Sequence, residues 1–304
     1  MNQKIITKAL LLLAIVLLVA GCSTTGTSKT SDIEMVDGLG RTVSLSSVPQ
    51  KIISLAPSNT ELLFAVGAGQ QIVGCDEFSD FPEEAKAIAS VGGSMGKYSL
   101  EQITALQPDL IIAAEINSPE QVQSIESLGF KVYYLSNPTD LDGLYENITI
   151  IGKLSGREKE ASELNVSLKE RVQEVIKAKT EGSEPLKVFY ELDGSDPTKP
   201  WTAGKGSFID VLLSLAGAVN VANDAGEGWI QYSQEALIVA NPDVILLGDA
   251  AYGVTADSIA SRAGWGDLAA VQNGRIYAFD DNLVSRPGPR LVDGLEELVR
   301  LLGQ

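Results

Sequence analysis

Carboxylates are the most abundant side chains in this sequence that could do chemistry. The 304 residues include 40 Asp and Glu against 23 Lys and Arg, and no His. Without an imidazole, Ser-His-Asp and Cys-His catalysis and His-ligated zinc sites are excluded. Two carboxylates could still hydrolyse glycosides, but spacing alone singles out no such pair among so many acids. Catalysis is therefore disfavoured, and we expect no catalytic residues, no metal ligands and no resident cofactor.

Two of these acids, Glu101 and Glu235, occupy the same place in a repeated segment. YSLEQITALQPDLIIAAE (98–115) and YSQEALIVANPDVILLGD (232–249) share Tyr, Ser, Glu, Pro and Asp in register. Each Glu falls in the first turn of a predicted helix, where the helix dipole alone favours an acid by about 0.3–1 kcal/mol. The helix dipole is enough to explain an acid at either position alone. A shared role for Glu101 and Glu235 must therefore be argued from the repeat.

The elements around the repeat predict an α/β fold. KIISLAP (51–57) is typical of a buried strand, and Ser58 to Glu61 has the spacing of a helix capping box. Strands and helices alternate through the first half of the chain, and a second series starts with KVFYEL (187–192). This alternation predicts parallel sheets.

The two series resemble each other in more than one place. GSFIDVLLSLAGA (206–218) is similar to PSNTELLFAVGAG (57–69), and both precede a copy of the repeat. Within the repeat, Pro108 and Pro242 are interpreted as the residues that end each helix before the next strand. The sequence therefore predicts two related α/β lobes, each built on the same strand–helix unit.

The N-terminal stretch is typical of an exported lipoprotein. Lys4 and Lys8 precede an apolar run (9–20) that is too short to span a membrane comfortably, and small residues precede Cys22. The VAGC ending resembles a bacterial lipobox, in which Cys22 would be lipidated and become the mature N-terminus. We therefore expect an extracytoplasmic protein that a lipid holds at the cell membrane.

Composition divides the chain into five predicted segments. From Thr139 onward, apolar residues at three- and four-residue spacing predict one long helix, which EGSEP (181–185) ends. The segments are a lipoprotein signal peptide (1–21), a flexible tether (22–36), an N-terminal lobe (37–138), a connecting helix (139–182) and a C-terminal lobe (183–304).

The mature chain would be strongly acidic. Removal of residues 1–21 takes away two Lys and no acids, leaving 21 Lys and Arg against 40 Asp and Glu, a net charge of −19. Such a surface argues against nucleic-acid binding, which requires neutralisation of phosphates, and it fits a soluble monomer. Cys75 would be the only Cys besides Cys22, so no disulfide framework is expected.

Several motifs in order resemble one family. The lipobox, IISLAPSNTELLFAVGAG, DEFSDFPEEA, the repeated YSLEQITALQPDLIIA and SRPGPR are similar to the solute-binding proteins of ABC importers for cobalamin and ferric siderophores. The resemblance covers about residues 41–302. It implies two Rossmann-like lobes joined by one long helix, with the ligand in a cleft between them. It also implies ABC permease subunits and their ATPase as partners, since Glu101 and Glu235 resemble glutamates that the family presents to permease arginines.

Within this family the motifs are closest to the cobalamin binders. Cobalamin brings its own metal, so the protein needs a wide cleft with aromatic and apolar faces and a few polar groups. A ferric siderophore, often anionic, would call for several Arg, and haem would call for an axial His, Tyr or Met. These two ligands stay as alternatives. An enzyme or a cofactor-assembly scaffold on the same fold is the alternative from another class.

Candidate ligand contacts lie after the predicted strands and in aromatic loops, because ligands bind at the carboxyl ends of strands in open α/β sheets. Helix capping is the alternative for Ser58, and core packing is the alternative for Phe78. Trp265 is interpreted as structural. The ligand-binding candidates are Pro57, Ser58, Phe78, Met95, Trp201, Trp229, Asp249, Tyr252 and Arg286.

Two of these assignments come with a specific expectation. Asp249 and Tyr252 follow the strand VILLG as Glu115 follows its counterpart, so all three are expected to point towards the cleft mouth. Arg286 and Arg290 bracket Pro-Gly-Pro. We assign Arg286 to the ligand and expect Arg290 to pair with an acid.

Overall fold

The computed structural model describes residues 33–93, 96–177 and 184–303. Within these ranges, no helix has the length and apolar composition needed to cross a membrane. The predictions for the signal peptide, for lipidation of Cys22 and for Met95 concern residues outside the described ranges.

An antiparallel hairpin precedes the first lobe. Its strands are β1 (Ile33–Val36) and β2 (Thr42–Leu45). Ile33 and Met35 pack against the hydrophobic core, which fixes the first strand in place. Strand β1 therefore begins at residue 33, within the segment 22–36 that was predicted to be a tether.

The first lobe contains a four-stranded parallel sheet with strand order β4-β3-β5-β6. Its strands are β3 (Ile52–Ser54), β4 (Ile72–Cys75), β5 (Leu110–Ala114) and β6 (Val132–Leu135). Its helices are α1 (Pro57–Ala65), α2 (Leu100–Leu106) and α3 (Pro119–Glu126). Every residue of β3, β5 and β6 is buried, as expected for a sheet that is covered on both faces.

Two helices, rather than one, connect the lobes. Helices α4 (Leu141–Ser155) and α5 (Glu158–Lys177) replace the single helix predicted over 139–182. Gly156 ends α4 in the left-handed region at φ 68°, which a glycine adopts without steric cost. The chain then folds back so that α5 packs against α4, and a side chain at Gly152 would collide with the segment that follows.

The second lobe contains another four-stranded parallel sheet, with strand order β12-β11-β7-β9, and a separate antiparallel ribbon of β8 and β10. The strands are β7 (Lys187–Glu191), β8 (Trp201–Ala203), β9 (Val219–Asn220), β10 (Trp229–Gln231), β11 (Val244–Leu247) and β12 (Ile276–Ala278). The helices are α6 (Phe208–Ala216), α7 (Gln234–Ala240), α8 (Ala256–Ala260), α9 (Ala269–Gln272), α10 (Asn282–Ser285) and α11 (Leu291–Leu302).

The two sheets have the same topology, which confirms the predicted fold class. Numbered from the first strand of each sheet, both have the order 2-1-3-4, and every neighbouring pair is parallel. One hydrophobic cluster contains residues of both lobes and of α4 and α5. The connecting helices are therefore part of a continuous core rather than a flexible link.

Candidate functional site

A cleft lies between the two lobes at the carboxyl ends of the strands. A first cavity, of about 240 Å³, is lined from the N-terminal lobe by Ala56, Pro57, Ser58, Ala114, Ile116 and Asn137, and from the C-terminal lobe by Ser285, Arg286 and Pro287. A second cavity, of about 230 Å³, shares Asn137, Ser285 and Pro287 with the first. The two cavities are thus parts of one inter-lobe cleft, as the fold prediction expected.

Pro57 and Ser58 begin helix α1 at the wall of the first cavity. Pro57 takes the first helical position, where its missing N–H is not needed. The predicted capping box of Ser58 and Glu61 is wrong, because the helix starts earlier, with Ala56 at the cap position and no side-chain cap. Ser58 therefore lies inside the first turn, and the Glu61 carboxylate has other partners.

Trp201 and Trp229 lie on the ribbon of β8 and β10. Trp201 is opposite Gln231, and Trp229 is opposite Ala203. Because alternate residues of a strand face the same side, the two tryptophans occupy diagonal positions on one face of the ribbon. They are 41% and 45% exposed, and Trp229 lines the second cavity. The ribbon therefore presents an aromatic surface beside the cleft.

Phe78 and Phe81 lie in the loop that follows β4. The Asp76 carboxylate holds this loop by accepting hydrogen bonds from the Phe78 backbone N–H and the Ser79 hydroxyl. Both phenylalanines are exposed, which contradicts core packing for Phe78, yet neither lines a cleft cavity. Phe81 instead lies under the guanidinium of Arg290, 4.0 Å from ring centroid to Cζ, and lines a separate groove of about 490 Å³.

Arg286 and Arg290 both bind acids of the N-terminal lobe. Arg290 donates from Nε and Nη2 to the two carboxylate oxygens of Glu61, at 2.8 and 2.6 Å. Arg286 donates from Nη1 to Asp80 at 2.5 Å and lies 3.5 Å from Glu61. Burial raises the pKa of Asp80, but the hydrogen bond from Arg286 and the charges of Arg286 and Arg290 together leave the pKa lowered. The prediction that Arg290 pairs with an acid is confirmed, whereas Arg286 lines the cleft with its charge already paired.

The expectation that three residues point to the cleft mouth holds for one of them. Glu115 is exposed and lines the second cavity. Asp249 is buried, and its carboxylate accepts a hydrogen bond from the Gly194 backbone N–H, so the expectation is wrong for this residue. The reason is that the loop after β7 folds over Asp249. Tyr252 is 89% exposed and lines neither cavity.

The repeated segment adopts the same local structure in both lobes. Ser99 and Ser233 cap α2 and α7 by accepting a hydrogen bond from a backbone N–H three residues later. Both helices end in a left-handed residue, Gln107 at φ 49° and Asn241 at φ 46°, directly before the proline. The interpretation of the two prolines as helix terminators is thereby confirmed.

Glu101 and Glu235 lie in the first turns of these helices, and both are exposed. A three-residue turn joins each helix to the following strand, so the helix begins at the edge where that strand ends. The two glutamates therefore stand at equivalent positions, on the edge of each sheet from which the cleft opens.

Sequence reasoning missed several residues of the cleft. Ile116 and Asn137 follow β5 and β6, so the rule for strand ends could have identified them. Glu61 has no such signal, because its partner Arg290 is 229 residues away along the chain. Among the described residues, no group of three or more Asp, Glu, Cys or His side chains could hold a metal ion.

Comparison with known proteins places this architecture among transport proteins. The family model described as "Periplasmic binding protein" matches residues 52–283. An uncharacterized ABC transporter substrate-binding lipoprotein, YvrC of Bacillus subtilis, is 35% identical over 95% of this chain and 94% of its own length. A vitamin B12-binding protein of Vibrio cholerae is 31% identical over 83% of this chain and 89% of its own.

A solved structure agrees with these relatives. A possible iron-binding, periplasmic solute-binding protein from Staphylococcus epidermidis is 32% identical, with a TM-score of 0.74. The match covers 85% of this chain and all of that one. The shared fold therefore extends over both lobes.

Proposed function

Because this chain belongs to the periplasmic binding protein family, we propose that it is an ABC importer's solute-binding protein that carries a corrinoid, cobalamin, in its inter-lobe cleft. The similarity to a vitamin B12-binding protein supports this ligand. So does the chemistry of the cleft, whose lining is mostly small, hydroxyl and apolar side chains from both lobes, with the amide of Asn137 and the charged groups Glu115 and Arg286. No step of catalysis is part of the proposal.

The observation that carries the ligand assignment is the state of Arg286. Among the described residues that line the two cavities, Arg286 is the only cation, and its Nη1 already donates to Asp80 at 2.5 Å. A ligand with carboxylates would have to displace an acid before it could use this charge. Cobalamin has a rim of neutral amides, which need hydrogen-bond partners such as Asn137 and Ser285 rather than a free cation.

The tryptophan ribbon supports a large, flat ligand. Trp201 and Trp229 stand on one face of the ribbon of β8 and β10, both are partly exposed, and Trp229 lines the second cavity. Aromatic rings bury extensive apolar surface against a macrocycle at a small cost in side-chain entropy. A corrin ring would therefore gain contact area here without any metal ligand from the protein.

A ferric siderophore is the second candidate ligand. The similarity to a possible iron-binding protein favours it, and Arg286 at the cleft would serve it if Asp80 moved away. Haem belongs to the same alternative, with the exposed Tyr252 as its axial ligand, although this side chain lines neither cavity.

Delivery to a permease is proposed to use Glu101 and Glu235. Their equivalent, exposed positions at the cleft edge of each lobe let one rigid body present two acids to two permease subunits. Lipidation of Cys22 would keep the protein at the membrane, where the permease lies. The similarity to a substrate-binding lipoprotein supports this anchoring.

The test is calorimetric titration of the protein truncated after Cys22 with cyanocobalamin, a ferric siderophore and haemin in parallel. Tryptophan fluorescence gives a second signal, because Trp229 lines the second cavity and Trp201 lies on the same face of the ribbon. We expect saturable one-to-one binding of cyanocobalamin with a submicromolar Kd. Tight binding of one of the other two, with none of cyanocobalamin, would retain the transport class and overturn the ligand.

A further inference from the structure

The ion pair of Glu61 and Arg290 joins the two lobes directly. Glu61 lies in α1 of the N-terminal lobe, and Arg290 immediately precedes α11 of the C-terminal lobe. The guanidinium and carboxylate groups meet edge to edge. Arg290 donates one hydrogen bond to each carboxylate oxygen of Glu61, from Nε at 2.8 Å and from Nη2 at 2.6 Å. A planar, two-pronged contact of this kind fixes direction as well as distance.

The two side chains of the pair are almost completely buried, so water screens the attraction between their charges only weakly. Only 2% of the Glu61 side chain and 13% of the Arg290 side chain are exposed. Phe81, also from the N-terminal lobe, supports the other face of the guanidinium, 4.0 Å from its ring centroid. Arg290 is thus held from two directions by the opposite lobe. Separation of the lobes would break both hydrogen bonds and the ring contact at once.

The pair stands beside the ligand cleft, and one short loop links the two. Residues 286–290 carry Arg286 and Pro287, which line the first cavity, and then Arg290. Glu61 lies one helical turn after Ser58, which lines the same cavity from the opposite side. A shift of one lobe against the other at this pair would therefore change the distance between the two walls of the cleft.

We propose that Glu61 and Arg290 are a positioning pair that fixes the spacing of the lobes in the absence of ligand and thereby sets the width of the cleft. Arg286 strengthens the pair, because it donates to Asp80 and lies 3.5 Å from Glu61. The cleft is then preformed, and ligands that fit this width are favoured over smaller or larger ones. The inference depends on the two-lobed cleft, and it stands whichever ligand the cleft carries.

The experiment measures the distance between the lobes by pulsed electron paramagnetic resonance on the full chain with Cys22→Ser. Spin labels are attached through Glu120→Cys and Asp257→Cys, exposed positions in the N-terminal and C-terminal lobes. Cys75 is buried, and burial raises its pKa to about 11, so it stays unlabelled. We expect a narrow distance distribution without ligand, a broader one in Glu61→Gln, and narrowing on addition of cyanocobalamin.

Binding provides the second readout. If the weakened pair leaves about one molecule in ten at the correct width, the Kd for cyanocobalamin rises about tenfold. The ratio of the Kd values for cyanocobalamin and for cobinamide, which lacks the lower base, should also change. Arg290→Lys keeps the charge but loses the two-pronged contact, and it replaces Glu61→Gln if that variant does not fold.

Arg171→Lys is the matched control. Arg171 makes the same two-pronged contact with Glu296, at 2.8 and 2.6 Å, but between α5 and α11 and not across the cleft. It should leave the distance distribution and the ligand ratio unchanged. The proposal is overturned if Glu61→Gln keeps the wild-type distribution, even where affinity falls. Absence of cyanocobalamin binding in the wild type would reject the ligand assignment alone, because the ligand-free distances would still decide the role of the pair.

Discussion

Arg262 and Glu191 form a buried two-pronged ion pair inside the C-terminal lobe. Arg262 Nη2 donates to one oxygen of Glu191 at 2.8 Å, and Nη1 donates to the other. The Glu191 side chain is fully buried, and the guanidinium lies over the ring of Trp265. Burial raises the pKa of Glu191, Arg262 lowers it and the nearby Asp249 raises it, so that the pKa is raised overall.

This pair should give the stability of the protein a specific pH dependence. A carboxyl with a raised pKa in the folded state contributes most below its unfolded pKa, and that contribution is lost as pH rises through the folded pKa. Arg262→Ala removes the cation of this pair. We expect it to lower the free energy of unfolding by about 3–5 kcal/mol at pH 8, because the carboxylate is left unpaired.

Urea unfolding of Arg262→Ala at pH 5 and pH 8 provides the measurement. The loss should be smaller at pH 5, because burial without Arg262 raises the pKa of Glu191 further and favours its neutral form at lower pH. Adding Glu191→Gln to Arg262→Ala should recover most of the loss at pH 8, since the charge is then absent. Equal losses at the two pH values would contradict the role given to the buried carboxylate.

The charge balance around Arg286 should decide between classes of ligand. Asp80→Asn leaves Arg286 without its strongest partner, since the remaining contact to Glu61 is 3.5 Å long. We expect affinity for an anionic ligand such as a ferric siderophore or haemin to rise about tenfold, or about 1.4 kcal/mol. Cyanocobalamin affinity should change little. Calorimetric titration measures all three.

Glu83→Gln is the control for this change, because Glu83 is an exposed acid of the same region that pairs with Lys86 instead. It should leave every affinity as in the wild type. Unchanged anion binding by Asp80→Asn would show that Arg286 does not govern the charge of the cleft.

Tryptophan substitutions should separate binding from stability. Trp229→Ala removes a half-exposed ring at the cleft, so we expect cyanocobalamin affinity to fall about tenfold, in line with roughly 1.5 kcal/mol for an aromatic contact. Trp265→Ala removes a fully buried ring, and the cavity it leaves should lower the free energy of unfolding by about 3–5 kcal/mol. Thermal melts and titrations of both variants distinguish the two effects. A stable Trp265→Ala protein would contradict its structural assignment.

Reversing the charge of Glu101 and Glu235 together should block transport without changing ligand binding. The double substitution to Arg places like charges opposite the proposed permease arginines, which opposes docking. The measurement is uptake of labelled cobalamin by cells that depend on this protein. The ligand Kd of the purified variant is measured in parallel.

Glu120→Arg with Asp257→Arg is the matched control for docking. These two acids are also exposed in the first turns of helices, one in each lobe, but they are not part of the repeat. Their reversal should leave uptake close to the wild-type rate. Equal losses in the two double variants would mean that uptake responds to net charge rather than to the repeated positions.

Local patterns allowed much of the fold to be predicted. The repeated Ser and Pro each have a local task, so the caps and turns of the repeat follow from short-range chemistry. Ser99 and Ser233 illustrate this, since each hydroxyl accepts a hydrogen bond from the backbone N–H three residues later, that of Gln102 or of Ala236. Interactions over three or four residues leave a signature that can be read along the chain.

The errors have equally specific causes. Ser207 caps α6 as its pattern predicts, but the same pattern at Ser58 fails because Pro57 starts the helix earlier. Gly156 indicated that one helix ends there and a second begins. The helical spacing of the residues on both sides of it obscured this signal. The arrangement of Arg286 and Arg290 could not be predicted, because it depends on which acids the other lobe brings near.

Strand β8, which carries Trp201, has no equivalent in the first lobe's matching connection. Only residues 55–56 separate β3 from α1, whereas residues 192–207 separate β7 from α6. The repeated part of the molecule therefore contains the exposed glutamates, and a longer connection in one lobe contains Trp201, one of the two rings of the aromatic surface. Divergence of that connection would change the cargo of such a protein across its descendants while the surface offered to the transporter stays constant.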